Sequence, residues 1–286
     1  MKRFSQRQTL LFFYGFDIAL VCVLLLVLLP LSKEKNAPQT MTMRFIEPDD
    51  AAQIDSVELY DATEQFYLTM KRQNSVWTGT DSNSNETLLW PCDIQAVEQF
   101  LAELSKQHTL TKKAGSASAW SRLGVDNAHA HRVTFFSGDG RKIAAYWFGT
   151  EDPVTGTVPL RTAESQTVWE TSARISEFLS GGADFWADPF IEPVCATGKT
   201  REQSERGLRR GRLAYLSPAE SVRPVNVVQR IFDSSVKAVY SVYEKDGAFI
   251  IIPSFFSAEN AELASISYRY FVSGTTLERF LEENDE

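Results

Sequence analysis

Three histidines and three cysteines in 286 residues leave little from which to build a reaction. With so few imidazoles, general acid–base catalysis near neutral pH lacks its usual agent. No Gly-x-Ser-x-Gly elbow, His-Glu-x-x-His pair or calcium loop occurs. Gly198-Lys199-Thr200 resembles the end of a phosphate-binding loop, but the glycine that lets backbone amides wrap a phosphate would stand at Pro193, which excludes it. His129 and His131 would share a face of a strand, yet a metal would also need His108 or an acid, and no third ligand comes at a fixed spacing. No catalytic, cofactor-binding or metal-binding residue is therefore assigned, and no cofactor is expected.

The cysteine count also excludes a disulfide framework. One bridge between Cys92 and Cys195 would close a loop of about 100 residues; two buried free thiols are the alternative. Positive charge is scarce as well. Residues 36–286 carry 24 basic and 35 acidic side chains, a net of −11, which argues against nucleic acid as a partner.

What the chain does have is a nearly unbroken apolar run over residues 10–31, the length that predicts a bilayer-spanning helix. Lys2, Arg3 and Arg7 precede it without an acid, which predicts a cytoplasmic N-terminus over 1–9 and a membrane anchor that leaves the bulk of the chain outside the cytoplasm. A cleaved signal peptide has a shorter apolar core and a small-residue cleavage site. No small-residue pattern leads into Cys22, so a lipid anchor finds no support. Asp17, inside the run, has two readings: an acid that reaches the interface, or a contact with a partner's membrane helix.

A polar tether over 32–48 follows. Alternation through Val57, Leu59, Leu68, Met70 and Val76 then predicts short antiparallel strands. Asp93 caps a predicted helix whose Ile94, Val97, Phe100, Leu101 and Leu104 share one face. Segments 131–136 and 143–148 flank Ser137-Gly138-Asp139-Gly140, a hairpin composition. Extended pieces follow at 158–161 and 167–169, and then a short helix through Ile175, Phe178 and Leu179, ended by Gly181 and Gly182. Trp77, Trp147 and Trp169 read as core; the other reading is an exposed aromatic platform.

Several short motifs in this stretch share an order with a known family. They are Val76-Trp77, Leu123-Gly124-Val125-Asp126, Trp147-Phe148-Gly149, Val168-Trp169 and Asp184-Phe185-Trp186. Over 54–189 the chain resembles the membrane-anchored domain of unknown function 4340 family, seen in bacterial auxiliary proteins of gliding-motility-type ABC transporters. The resemblance implies a place in the bacterial inner membrane with a periplasmic body. It also implies a transporter permease and its ATPase as partners. No catalytic residues come with the family.

Residues 193–217 hold the one basic cluster, including Arg209, Arg210 and Arg212, which reads as an exposed linker or as a docking patch for anionic headgroups or an acidic partner. Beyond it, Pro224 with Val225, Val228, Ile231 and Phe232 on one face predicts a helix. Asp246-Gly247 predicts a hairpin between 236–243 and 248–256, and 265–272 reads as a further strand. Thr275 and Glu278 form a capping-box pattern before Leu277, Phe280 and Leu281.

The sequence thus predicts an N-terminal transmembrane helix followed by a mainly antiparallel α+β ectodomain of two units, 49–192 and 218–286. The expected function is that of a non-enzymatic, membrane-anchored accessory or scaffold of a transport complex. The alternative is an extracytoplasmic module that binds a carbohydrate, peptide or lipid on an aromatic-lined sheet face.

Overall fold

The computed structural model describes residues 38–62, 66–73, 76–82, 88–198, 211–214, 222–232, 235–259 and 261–282, together with 18, 20, 21 and 23. The chain divides into two compact units, Met1–Met41 and Thr42–Glu286. Strand β1 (Thr40–Met43) crosses that boundary, and every later element lies in the second unit.

Helix α1 (Pro48–Ala51) leads into β2 (Ile54–Asp61), β3 (Phe66–Gln73), β4 (Val76–Asp81) and β5 (Trp90–Pro91). Helix α2 (Ile94–Ser105) comes next, followed by β6 (His108–Ala114), β7 (His131–Ser137), β8 (Lys142–Phe148), β9 (Val158–Thr162) and β10 (Val168–Thr171). Three short helices, α3 (Ser176–Ser180), α4 (Ala183–Trp186) and α5 (Val194–Thr197), connect to β11 (Arg212–Leu213). The chain ends with β12 (Asn226–Phe232), β13 (Val236–Lys245), β14 (Ala248–Ser257), α6 (Ala261–Ser265), β15 (Tyr270–Val272) and α7 (Gly274–Glu282).

Two corrections concern the fold class. Among the described residues no helix is long and apolar enough to cross a membrane, which stands against the spanning helix expected over 10–31. Of that run the structure describes Ile18, Leu20, Val21 and Val23, helical and exposed. The rest of that run lies outside the described residues. Antiparallel sheet also dominates the described residues, 44% strand against 23% helix, so the α+β class expected from sequence gives way to a mostly antiparallel sheet protein.

Period-two alternation builds the larger sheet, whose strands run in the order β6-β10-β9-β8-β7-β2-β3-β4-β5 within the second unit. Leu59, Leu68, Val133, Phe135, Phe148 and Leu160 point to one face and are fully buried or nearly so. Each such side chain contributes about 2 kcal/mol of apolar burial. Helix α2 covers that face. The Asp93 carboxylate accepts the Gln95 amide at 3.0 Å, starting the helix, and Val97, Phe100 and Leu104 drop into the core. The Phe100 ring lies 6.0 Å from Phe135 and 5.4 Å from Trp186.

The smaller sheet runs β11-β15-β14-β13-β12. Its central hairpin turns at Asp246 (φ 51°) and Gly247 (φ 77°), two positive φ values in succession, as the Asp-Gly pair requires. Helix α7 lays Phe280 edge-on against Tyr240 with centroids 5.1 Å apart. Ser273 caps that helix by accepting the Thr276 amide at 3.2 Å, upstream of the expected Thr275.

Other expectations change too. Residues 226–232 form β12, not a helix: Val225, Val228, Ile231 and Phe232 fit a helical face, but the β-branched run alternates, with Val228 buried and Val227 and Ile231 outward. The strand expected over 265–272 shortens to β15, preceded by α6. Gly181 ends α3 in an extended rather than left-handed conformation; a Cβ there would meet the Phe185 ring at 2.6 Å.

Both sheets draw on one hydrophobic core. Leu89 and Ser267 form a bridge between them. Tyr268 donates its hydroxyl to the Ile191 carbonyl at 3.2 Å, and Tyr270 donates to the Asp188 carbonyl. The Leu213 amide donates to Asp184 at 2.8 Å.

Candidate functional site

The antiparallel registers of β3, β2, β7, β8 and β9 place Tyr67, Tyr60, Arg132, Trp147 and Arg161 in one continuous row across the face opposite the core. Cations and rings interleave along it. The Arg132 guanidinium sits 3.9 Å from the Tyr60 ring centroid. The Arg161 guanidinium sits 4.3 Å from Trp147 and 4.0 Å from Trp120, which reaches over from the loop after β6. Such contacts strengthen when water is excluded, and Arg161 is buried. Burial pulls its guanidinium below the ordinary arginine value. Its Nε donates to the Val125 carbonyl at 2.7 Å, which ties the Leu123-Gly124-Val125-Asp126 loop to the sheet.

That loop is shaped for the contact. Gly124 adopts φ 66°. Gly149, after β8, passes so close that a Cβ would lie 2.4 Å from the Leu123 carbonyl oxygen. At the other end of the row, burial and a hydrogen bond with Glu58 push the Tyr67 hydroxyl up to about 12.

Beside the row, the loop and β6, β9 and β10 enclose a groove of about 380 Å³ lined by Lys113, Arg122, His129, Asp152, Thr157 and Glu170. Lys113 pairs with Glu170 at 2.5 Å, and the Thr157 hydroxyl donates to the same carboxylate. These two partners, Lys113 first, hold the Glu170 carboxyl below its usual range. Lys113 and Glu170 thus answer one another inside the groove.

The tryptophans do not make an open platform. Trp77 is buried, and Trp120, Trp147 and Trp169 are half-buried. Trp120 and Trp147 each give a ring face to Arg161, and their indole N–H groups donate to the Gln166 carbonyl at 3.1 Å and to Asn127 Oδ1 at 2.8 Å.

The smaller sheet offers a different surface. Registers of β12, β13 and β14 align Ile231, Lys237 and Phe256 in one row, and Val227, Ser241 and Ile252 in another, on the face away from the core. Val227 is 50% exposed, Ile231 76% and Phe256 56%. β12 is the last strand of its sheet, with no partner along its outer edge among the described residues. An edge of unpaired backbone beside exposed apolar side chains is a template for another strand.

The residues singled out from sequence do not converge on one site. Asp17, Arg209 and Arg210 lie outside the described residues, and Arg212 stands exposed on β11. Cys92 and Cys195 are both free thiols in this structure. The histidines occupy separate places. His108 shares a hydrogen bond with the Glu103 carbonyl at 2.8 Å, His129 pairs with Asp126 at 2.7 Å, and His131 lies 3.6 Å from Asp61. Among the described residues no three potential ligands gather as a metal site. Sequence reading missed the Tyr60, Arg132 and Arg161 row; its signal was available once the 131–136 hairpin was registered, since that register sets Arg132 opposite Trp147.

Comparison with known protein families, characterised proteins and solved structures finds no match to this chain.

Proposed function

We propose that this protein is a non-enzymatic accessory or scaffold subunit that receives an extended segment of a partner polypeptide along the β12 edge of its smaller sheet. The observation that carries the reading is the exposed face shared by Val227 and Ile231 on that edge strand and Phe256 two strands in from it. An added strand would satisfy the edge backbone, and its alternate side chains would cover the exposed apolar groups. The sequence resemblance supplies the class of partner, a subunit of a membrane transport complex. The aromatic-and-arginine row on the larger sheet stiffens the body that presents this edge.

A module that binds a carbohydrate, peptide or lipid would use the row itself. Against it stands the use of Trp120 and Trp147, whose ring faces and N–H groups are engaged within the protein.

A photo-crosslinking amino acid at Ile231 in cells tests the proposal, with the same amino acid at Val154, which is 91% exposed on a loop of the larger sheet, as control. Crosslinks to a transporter permease or ATPase from position 231 but not 154, lost when Val227→Lys is added, are the expected result. A complex retained at wild-type level in a folded Val227→Lys, Ile231→Lys variant overturns it.

A further inference from the structure

Cys92 and Cys195 are separated by about 100 positions, yet the fold leads both to Asp188. The residue before Cys92, Pro91, accepts the Asp188 amide at 2.8 Å, and Cys92 itself forms a β-bridge with Ala187. The residue before Cys195, Val194, donates its amide to the Asp188 carboxylate at 2.9 Å. Asp188 therefore holds the end of β5 and the start of α5 within one residue of each thiol. After burial, a Cys195 thiolate would be the next influence raising the Cys92 thiol. Around them lie Tyr268 and Tyr270, whose hydroxyls bind the carbonyls of Ile191 and Asp188, so the pair sits at the joint of the two sheets.

We infer that Cys92 and Cys195 are a disulfide-forming pair that fastens the β5 edge of the larger sheet to the α5 segment leading into the smaller one. Cys195 is half-buried and Cys92 is buried, which sets the order of events. The Cys195 thiolate attacks an external small-molecule disulfide, forms a mixed disulfide and releases one thiolate. The Cys92 thiolate then attacks the Cys195 Sγ, closes the intramolecular bond and releases the second thiolate. Two electrons pass from the protein dithiol to the reagent, and the two protons lost by the cysteines end on the two released thiols. Burial pushes the Cys195 thiol up to about 12 and the Cys92 thiol well above its usual value. Thiolate is therefore scarce at neutral pH, and the bond forms slowly, as a structural fastening rather than a fast switch.

Full-length protein carrying Cys22→Ser, fully reduced and then incubated with oxidised glutathione at several pH values, provides the test. The expected result is loss of both thiols, a linked Cys92–Cys195 peptide on mass mapping, and closure that accelerates about tenfold per pH unit. The thermal midpoint should rise by about 10 °C, reversibly on reduction, as closure of a loop of this length implies. Adding Cys195→Ser, at the less buried position, should abolish the linked peptide and the rise while leaving the reduced midpoint unchanged. Folded protein that keeps both thiols after prolonged exposure at alkaline pH, or that stops at a glutathione adduct on Cys195, overturns the inference.

Discussion

At the scale of single residues, Arg161 has no carboxylate in hydrogen-bond range among the described residues and instead gives its guanidinium to two indole faces, the Val125 carbonyl and, at 3.3 Å, the Thr162 carbonyl. Replacing it with Met keeps the aliphatic stem but removes both cation contacts and leaves that carbonyl without its donor. The loss should be about 3 kcal/mol, summing a desolvated cation contact and a charged hydrogen bond. Urea unfolding of Arg161→Met measures it, and Trp120 should become more mobile in the same variant. Gly149→Ala makes a matching backbone test: its Cβ would meet the Leu123 oxygen at 2.4 Å and the Pro159 ring at 2.8 Å, so the loop must shift, at about 1–3 kcal/mol. Glu170 carries the pH dependence. Its folded-state pKa is depressed, by Lys113 first and Thr157 second, so its stabilisation is present above the ordinary glutamate value and disappears as pH falls through the lower folded value. Glu170→Gln should therefore flatten the acid limb of the stability profile while leaving the alkaline limb in place. On that limb Tyr67 and Tyr146, both raised to about 12, contribute fully below pH 10 and lose their contribution as pH rises from 10 toward 12.

At the scale of elements, what could be read from sequence divides by how local its cause is. The β13–β14 hairpin follows from Asp246-Gly247, because two positive φ values in succession are a demand the turn makes on its own residues. Helix α2 follows from a cap and one apolar stripe. Strand β12 does not, since Val225, Val228, Ile231 and Phe232 fit a helical spacing, whereas alternation splits them between two faces, and it is pairing with β13 from Asn226↔Val242 to Phe232↔Val236 that decides for the strand. The aromatic row was hidden for the same reason: Tyr60, Arg132 and Arg161 stand tens of residues apart, and only strand order brings them side by side. β12 also carries a prediction of its own. Ile231 is largely exposed, so Ile231→Lys should change the folding free energy by no more than about 0.5 kcal/mol. The same charge on the outward face should suppress strand addition. Equal stability by urea unfolding together with loss of the co-purifying partner is the expected combination.

At the scale of the whole second unit, the question is whether two sheets that share a core also share a folding transition. All six tryptophans, Trp77, Trp90, Trp120, Trp147, Trp169 and Trp186, lie in the part of the chain that builds the larger sheet and its helices, so indole fluorescence reports on that part alone. Phe280 belongs to the other part. It packs on Tyr240 under the smaller sheet, is fully buried, and its carbonyl accepts from Arg230, which is also paired with Glu192 in the segment between the sheets. Phe280→Ala should cost about 3–5 kcal/mol of packing. If the joint made by Tyr268, Tyr270, Leu213 and the Leu89–Ser267 bridge couples the sheets, that cost is felt by the entire unit. Tryptophan fluorescence and far-ultraviolet circular dichroism should then move to a lower urea midpoint together, with transitions that coincide. A fluorescence midpoint that stays in place while the dichroism splits into two steps would mean that the joint transmits no stability, and that the smaller sheet opens on its own.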